Sequence, residues 1–236
     1  NRMFLVTEGE VKLTVNGKLI DTIRRGGIFG EMAIISQLPG AAIVPRTATA
    51  TANTASMAYS LDVKETEKAL QRAPAFALML MSVMFERLRF LAARLATKPD
   101  TAEHHSNTSV PVFDIETLSH LREKLPTAKV ANFVEGAKIM EEGAPGSSMY
   151  IVMSGRVSIA IGRKVVEKLA PGGVFGEMAL VDNSPRTATA IARTDCELLA
   201  VDRETLISMV KSDPAVGMQM MRAVAGRIRY MNGLLA

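Results

Sequence analysis

The chain has 236 residues, 48% of them hydrophobic and 22% charged, which supplies a sizeable core and rules out general disorder. Lys plus Arg exceed Asp plus Glu by four (28 against 24), a mildly basic balance that suits an anionic partner without by itself arguing for nucleic acid. One cysteine, Cys196, excludes an internal disulfide framework, and with three histidines a zinc or iron centre is poorly supported. The longest nearly apolar run, Ala73 to Phe85, is 13 residues with a proline inside it, too short for a membrane span. The chain opens without a secretory or transit pattern, so the expected location is the cytoplasm.

The first predicted elements are short strands. Val11-Lys12-Leu13-Thr14-Val15 alternates apolar and polar, and Lys18-Leu19-Ile20 comes next across Asn16-Gly17. Both turn residues accept positive φ, so a tight hairpin is expected there. Arg24 and Arg25 then precede Gly26-Gly27-Ile28-Phe29-Gly30-Glu31-Met32-Ala33, and Pro45-Arg46-Thr47-Ala48-Thr49-Ala50 comes after that block. The two arginines are expected either to add positive potential there or to be exposed. A short helix is expected over Val63–Arg72 and a second from Pro74 to about Leu95, since proline is tolerated in a first helical turn. Leu78, Met81, Phe85, Leu88, Ala92 and Leu95 are spaced 3-4-3-4-3, the mark of a helix–helix seam. Residues 98–111 are polar and breaker-rich and read as a linker, with His104 and His105 as solvated members of it. A helix over Asp114–Leu125, with Asp114 as N-cap, opens the second half of the chain. Met149–Val152 and Arg156–Ile161 read as strands punctuated by glycines, and closely spaced short strands suggest a small antiparallel barrel or roll.

From here the chain repeats itself. Gly172-Gly173-Val174-Phe175-Gly176-Glu177-Met178-Ala179 matches the first glycine block at seven of eight positions, and Pro185–Ala190 matches Pro45–Ala50 at all six. The offset is 146 for the first block and 140 for the second, so repeat one carries six extra residues between them, within Ile34–Val44. Helices over Arg203–Lys211 and from Pro214 to about Leu235 mirror the earlier pair. The second seam, at Met218, Met221, Ala225, Ile228, Asn232 and Leu235, is weakened by Ala225 and Asn232. A period this long means two copies of a domain rather than a solenoid. The copies are expected at 1–97 and 112–236, with the leading strands, the counterpart of Val112 to Gly146, missing from the first.

The repeated block carries chemistry. Gly176 lets backbone approach a ligand closely, and amides of a helical turn starting there can meet an anion. Arg186, nine residues after Glu177, offers a planar two-pronged donor that matches two phosphate oxygens. Glu177 would repel that phosphate, so its expected task is to accept a hydrogen bond from a ribose hydroxyl. The set describes a pocket for a sugar phosphate.

Phe175-Gly176-Glu177-Met178-Ala179-Leu180 together with Pro185-Arg186-Thr187-Ala188 resembles the phosphate-binding cassette of cyclic nucleotide-binding domains, the family of the catabolite activator protein, of cyclic-AMP-dependent protein kinase regulatory subunits and of cyclic-nucleotide-gated channels. Glu142-Gly143 through Gly155 is similar to the family's leading strands. The resemblance implies an α+β architecture of two eight-stranded β-rolls (a jelly-roll form) with flanking helices. It places the cyclic phosphate on Arg186 and the backbone amides of the Gly176-Glu177-Met178-Ala179 turn in site two, with the Glu177 carboxylate on the ribose 2′-hydroxyl, and gives Arg46 and Gly30, Glu31, Met32 and Ala33 the same roles in site one. The Glu-to-Arg spacing of 15 in site one departs from the pattern of nine in site two and puts Arg46 in doubt. Thr47 and Thr187, after each arginine, can meet a guanine amino group, so cyclic AMP and cyclic GMP both remain open. The family caps the base with a residue of the last helix, sought here in Met218–Tyr230. Met79, Met81, Met84, Met218, Met220 and Met221 are expected in the core, and Arg87, Arg89, Arg94, Arg222, Arg227 and Arg229 on solvated helix edges.

The expected function is a non-enzymatic sensor that couples cyclic nucleotide binding to movement of its C-terminal helices. No nucleophile–base pair, paired catalytic carboxylates or metal constellation supports catalysis, and no cofactor besides the ligand is implied. The alternative is the regulatory part of a larger effector: a kinase regulatory subunit, or a catabolite-activator-like transcription regulator whose DNA-binding domain is not in this stretch. An effector protein is the expected partner, nucleic acid is not expected for this stretch, and the seam helices would pair within one chain or in a homodimer.

Overall fold

A computed structural model describes residues 2–35, 46, 48–97, 107–108, 111–124, 129–182 and 184–235. By compactness the chain divides into two units, Asn1–Phe76 and Ala77–Ala236.

The first unit contains strands β1 (Met3–Glu8), β2 (Val11–Val15), β3 (Lys18–Ile23) and β4 (Ile28–Phe29), helix α1 (Glu31–Ile35), strands β5 (Thr49–Ala52) and β6 (Met57–Leu61), and helix α2 (Val63–Arg72). They form two three-stranded sheets, ordered β4-β1-β6 and β3-β2-β5. Asn16 and Gly17 take φ of 51° and 76° and join β2 to β3 with Val15 opposite Lys18, the tight turn the sequence predicts. Val6, Val11, Leu13 and Ile23 form the core between the sheets, with Phe29 against them. Asp62 caps α2: its carboxylate accepts from the Glu65 amide while the Glu65 carboxylate accepts from the Asp62 amide, a reciprocal capping box. Arg24 donates to Glu10 Oε1 at 2.8 Å and is an exposed, ion-paired side chain.

Helix α3 (Pro74–Thr97) starts in the first unit and runs mostly in the second. By sequence it completes repeat one, whereas by compactness the residues from Ala77 onward go with repeat two, a division that differs from a boundary at residue 97. Strand β7 (Asn107–Thr108) lies inside the stretch read as linker and pairs in parallel with Glu167 and Lys168. His104 and His105 lie outside the described residues. Helix α4 (Ile115–Lys124) is capped as predicted, with Asp114 Oδ1 accepting from the Thr117 amide at 2.8 Å.

Strands β8 (Lys129–Phe133), β9 (Lys138–Met140), β10 (Ser148–Ser154), β11 (Val157–Ile161), β12 (Lys164–Leu169) and β13 (Val174–Phe175) come next, then helix α5 (Glu177–Asp182) and strands β14 (Thr189–Ala192) and β15 (Cys196–Asp202). Helices α6 (Arg203–Ser212) and α7 (Pro214–Leu235) close the chain. Among the described residues the strands form sheets ordered β13-β10-β15-β8 and β7-β12-β11-β14-β9. Apart from the parallel β7 pairing, neighbours run antiparallel, which with the flanking helices gives the expected α+β roll. The repeat extends to register: Met149 faces Val201 as Met3 faces Leu61, and both pairs of strands shift register two residues before the turn glycine, Gly155 or Gly9. The units differ at their edges. β15 pairs with both β10 and β8, while β6 pairs with β1 among the described residues, leaving Met57 and Tyr59 exposed.

The seam residues with described side chains are buried on both long helices: Leu78, Met81, Phe85, Leu88 and Ala92, and Met218, Met221, Ala225 and Ile228. The stripe methionines are core as expected, except Met79, which is 38% exposed. Cys196 is buried at the start of β15. Among the described residues no helix is long and apolar enough to cross a membrane.

Candidate functional site

In the second unit the cassette sits where β13 turns into α5. Gly176 makes that turn at φ +78°, a conformation that favours glycine. A methyl group there would stand 2.7 Å from Arg186 Nη1, so the position also needs to be empty. The loop after α5 brings in Arg186, whose own amide donates to the Ala144 carbonyl while its carbonyl accepts from the Gly143 amide. Its side chain is buried, 7% exposed, and donates at 2.7 Å both from Nη1 to the Gly176 carbonyl and from Nη2 to the Ser148 carbonyl. It also lies 5.9 Å from the Tyr150 ring centroid, and Tyr150 stacks on Phe175. Burial lowers its pKa below the usual arginine value. A guanidinium has five N–H donors, so two carbonyl bonds fix its orientation and leave donors for an anion.

Glu177, 3% exposed, opens α5 and faces α7. Arg227 Nη1 donates to its Oε1 at 2.5 Å, Arg227 Nε donates to Glu167 Oε1 at 3.0 Å, and Arg227 Nη2 donates to the Val174 carbonyl. Burial pushes the Glu177 carboxyl above the usual carboxylate range despite that partner, and the two carboxylates raise Arg227, which stays charged. Arg227 therefore does not lie on a solvated helix edge: its side chain is 15% exposed and ion-paired.

These groups surround a cavity open to solvent, about 730 Å3 of empty space with the solvent at its mouth included. Ile159, Ile161, Val166, Phe175 and Met140 give it an apolar wall, and Gly176 to Ala179 with Arg186 to Ala188 give it the cassette side. The Thr187 hydroxyl donates to Met178 Sδ at 3.3 Å. Tyr230 and Met231 close it from α7, in and just beyond the stretch predicted to cap a base. Leu88 and Ala92 of α3 close it as well, a contribution that their 3-4 spacing alone does not reveal.

Other contributors are also hidden in the sequence. Gly146 lies against Arg186: a methyl group there would be 2.1 Å from Nε and 2.3 Å from Cζ. Glu167 and Arg227 have counterparts in Asp21 and Arg87 of repeat one, which marks the positions without showing that the two side chains meet.

The first unit builds the same cradle. Gly30 turns at φ +78°, α1 comes next with Glu31 only 1% exposed and Met32 and Ala33 buried, and Phe4 stacks on Phe29 as Tyr150 does on Phe175. Arg46 Nη1 donates to the carbonyls of Arg2 (2.9 Å) and Gly30 (3.2 Å), the counterparts of Ser148 and Gly176. The wider Glu-to-Arg spacing does not carry the guanidinium off these acceptors, although Arg46 is exposed where Arg186 is buried. Thr47 lies outside the described residues. Among the described residues no group of acidic, cysteine or histidine side chains is arranged to hold a metal ion.

Two rolls, each with a buried acid beside a guanidinium held on main-chain carbonyls, define a class of paired small-ligand domains. The profile of the cyclic nucleotide-binding domain matches residues 1–73 and 130–213, and the chain belongs to that family. It is similar to a cAMP-dependent protein kinase regulatory subunit of Aspergillus fumigatus, 32% identical over 197 residues that cover 80% of this chain and 40% of that protein. It is also similar to a CRP-like cAMP-activated global transcriptional regulator of Mycobacterium tuberculosis, 33% identical over 44% of this chain and 49% of that protein. A cGMP-dependent protein kinase of Toxoplasma gondii is 29% identical over 86% of this chain and 18% of its own length. The chain spans less than half the length of each of these relatives.

Proposed function

We propose that the chain is a cyclic nucleotide sensor without catalytic activity of its own, a regulatory part of a larger effector. The carrying observation is the twice-built cradle: Arg186 on the Ser148 and Gly176 carbonyls, and Arg46 on those of Arg2 and Gly30. In site two Arg186 and the amides at the start of α5 receive the cyclic phosphate. The second oxygen of Glu177 accepts the ribose hydroxyl while Arg227 keeps the first, and the base lies between the apolar wall and the two long helices. Ligand binding then shifts α7, which requires a different affinity for its two positions. The ligand is cyclic AMP or cyclic GMP, with Thr187 at the wall as the group that would meet a guanine.

Similarity over 80% of the chain to a kinase regulatory subunit, against 44% to a transcription regulator, favours the kinase-regulatory reading of the larger effector. Thermal melting of nucleotide-free protein with cyclic AMP, cyclic GMP and 5′-AMP tests the reading. A cyclic nucleotide raises the melting temperature of the wild type, and Arg186→Ala abolishes the part due to site two. Equal shifts with 5′-AMP, or an unaltered shift in Arg186→Ala, would move the phosphate elsewhere.

A further inference from the structure

Glu167 has no part in the cassette, yet it is 8% exposed on β12 and shares the Arg227 guanidinium with Glu177. The three groups Arg227 bonds come from three elements, β12, β13 and α5, and Arg227 itself comes from α7. A guanidinium is a rigid planar fork. Nε is held on Glu167, Nη1 on Glu177 and Nη2 on the Val174 carbonyl, so each nitrogen of the fork is engaged, and Glu167 is the charged partner that holds the Nε edge.

The shared guanidinium has a consequence. Two buried carboxylates meet one guanidinium beside a mostly apolar cavity wall. A sugar hydroxyl donating to Glu177 need not displace Arg227, so occupancy strengthens an existing tie rather than competing with it.

We propose that Glu167 is a positioning residue: it orients Arg227 so that the last helix, α7, is tied to the ribose-binding acid and reads the occupancy of site two. The inference rests on the cyclic nucleotide reading of that site. Repeat one carries Asp21, Glu31 and Arg87 at the matching sequence positions, with an acid one methylene shorter in place of Glu167.

Hydrogen exchange of the whole chain tests the proposal, measured on α7 peptides across Val224–Met231 and on β10 and β15, with and without cyclic AMP or cyclic GMP. In nucleotide-free protein Glu167→Gln is expected to exchange on the order of tenfold faster in α7, the worth of one charge-assisted bond, with β10 and β15 unchanged. Glu167→Asp restores part of the protection, and Arg227→Lys, whose point charge cannot bridge both acids, behaves like Glu167→Gln. Nucleotide still raises the melting temperature of Glu167→Gln but adds less protection to α7 than in the wild type. Wild-type exchange in α7 of Glu167→Gln, or faster exchange spread evenly through β10, β15 and α7, would overturn the proposal. Failure of both nucleotides to bind the wild type would overturn the sensor reading instead, and the nucleotide-free comparison would still decide the clamp.

Discussion

Gly146 is the sharpest place to test whether the Arg186 cradle is built as described, because it lies outside the cassette. A methyl group there would be 2.1 Å from Nε, 2.3 Å from Cζ and 2.6 Å from Nη2, so the guanidinium must retreat by about an ångström or more to restore van der Waals contact. It is held by two bonds of 2.7 Å, which cannot both survive such a move. Bonds to charged groups contribute about 1.5–3 kcal/mol each, so losing both sets an upper limit of roughly 3–6 kcal/mol. The backbone at 146 is only partly buried and absorbs some of the displacement. We expect Gly146→Ala to weaken cyclic nucleotide binding at site two by about ten- to a hundredfold, or roughly 1.4–2.8 kcal/mol. Calorimetric titration measures it, with Arg186→Ala as the floor and site one as the internal reference. Wild-type affinity and an unchanged melting temperature in Gly146→Ala would refute the cradle geometry.

Ala92→Phe places a ring in the cavity from α3 and should block site two while leaving site one titratable; normal stoichiometry would remove α3 from the site. Gly226→Ala meets nothing within 4 Å, so it should stabilise α7 by about 1 kcal/mol and raise the melting temperature of the second unit by about 2–4 °C. Asp202, whose hydrogen bonds from Thr205 depress its carboxyl, caps α6 with a contribution lost as pH falls through that depressed value. Asp202→Asn should keep the cap and lose the acid limb, and Asp202→Ala should lower the melting temperature at neutral pH. Glu177 has the opposite sign. Its carboxyl is raised by burial, so its contribution is present below the ordinary carboxylate range and lost as pH rises through the raised value. Glu177→Gln should therefore gain on the wild type in melting temperature across that window, and a constant difference would contradict the burial argument.

Much of the site is legible in the sequence because it is local. The cassette positions stand within a few residues of one another, and a second copy marks them as a unit. The hairpin at Asn16-Gly17 and the cap at Asp114 are likewise decided by neighbours in the chain. What stays hidden is set by partners far along it. Arg227 resembles any charged helix position until β12, 60 residues earlier, supplies Glu167, and only then is it a buried ion-pair member. Gly146 is one glycine among many turn glycines until the fold lays Arg186 against it, 40 positions on in sequence. The heptad spacing of α3 correctly marks Leu88 and Ala92 as buried, but periodicity does not distinguish a seam from the wall of a ligand cavity. Arg46 shows the reverse case: a longer loop casts doubt on it, while the carbonyls of Arg2 and Gly30 hold it where its counterpart stands.

Titration of protein stripped of nucleotide, by calorimetry with cyclic AMP and cyclic GMP in separate experiments, addresses the sensor function most directly. Saturable heat with at least one of them, at a stoichiometry that falls by one in Arg186→Ala, is the predicted result. Absence of heat with both ligands, in protein whose second unit melts cooperatively, would contradict it.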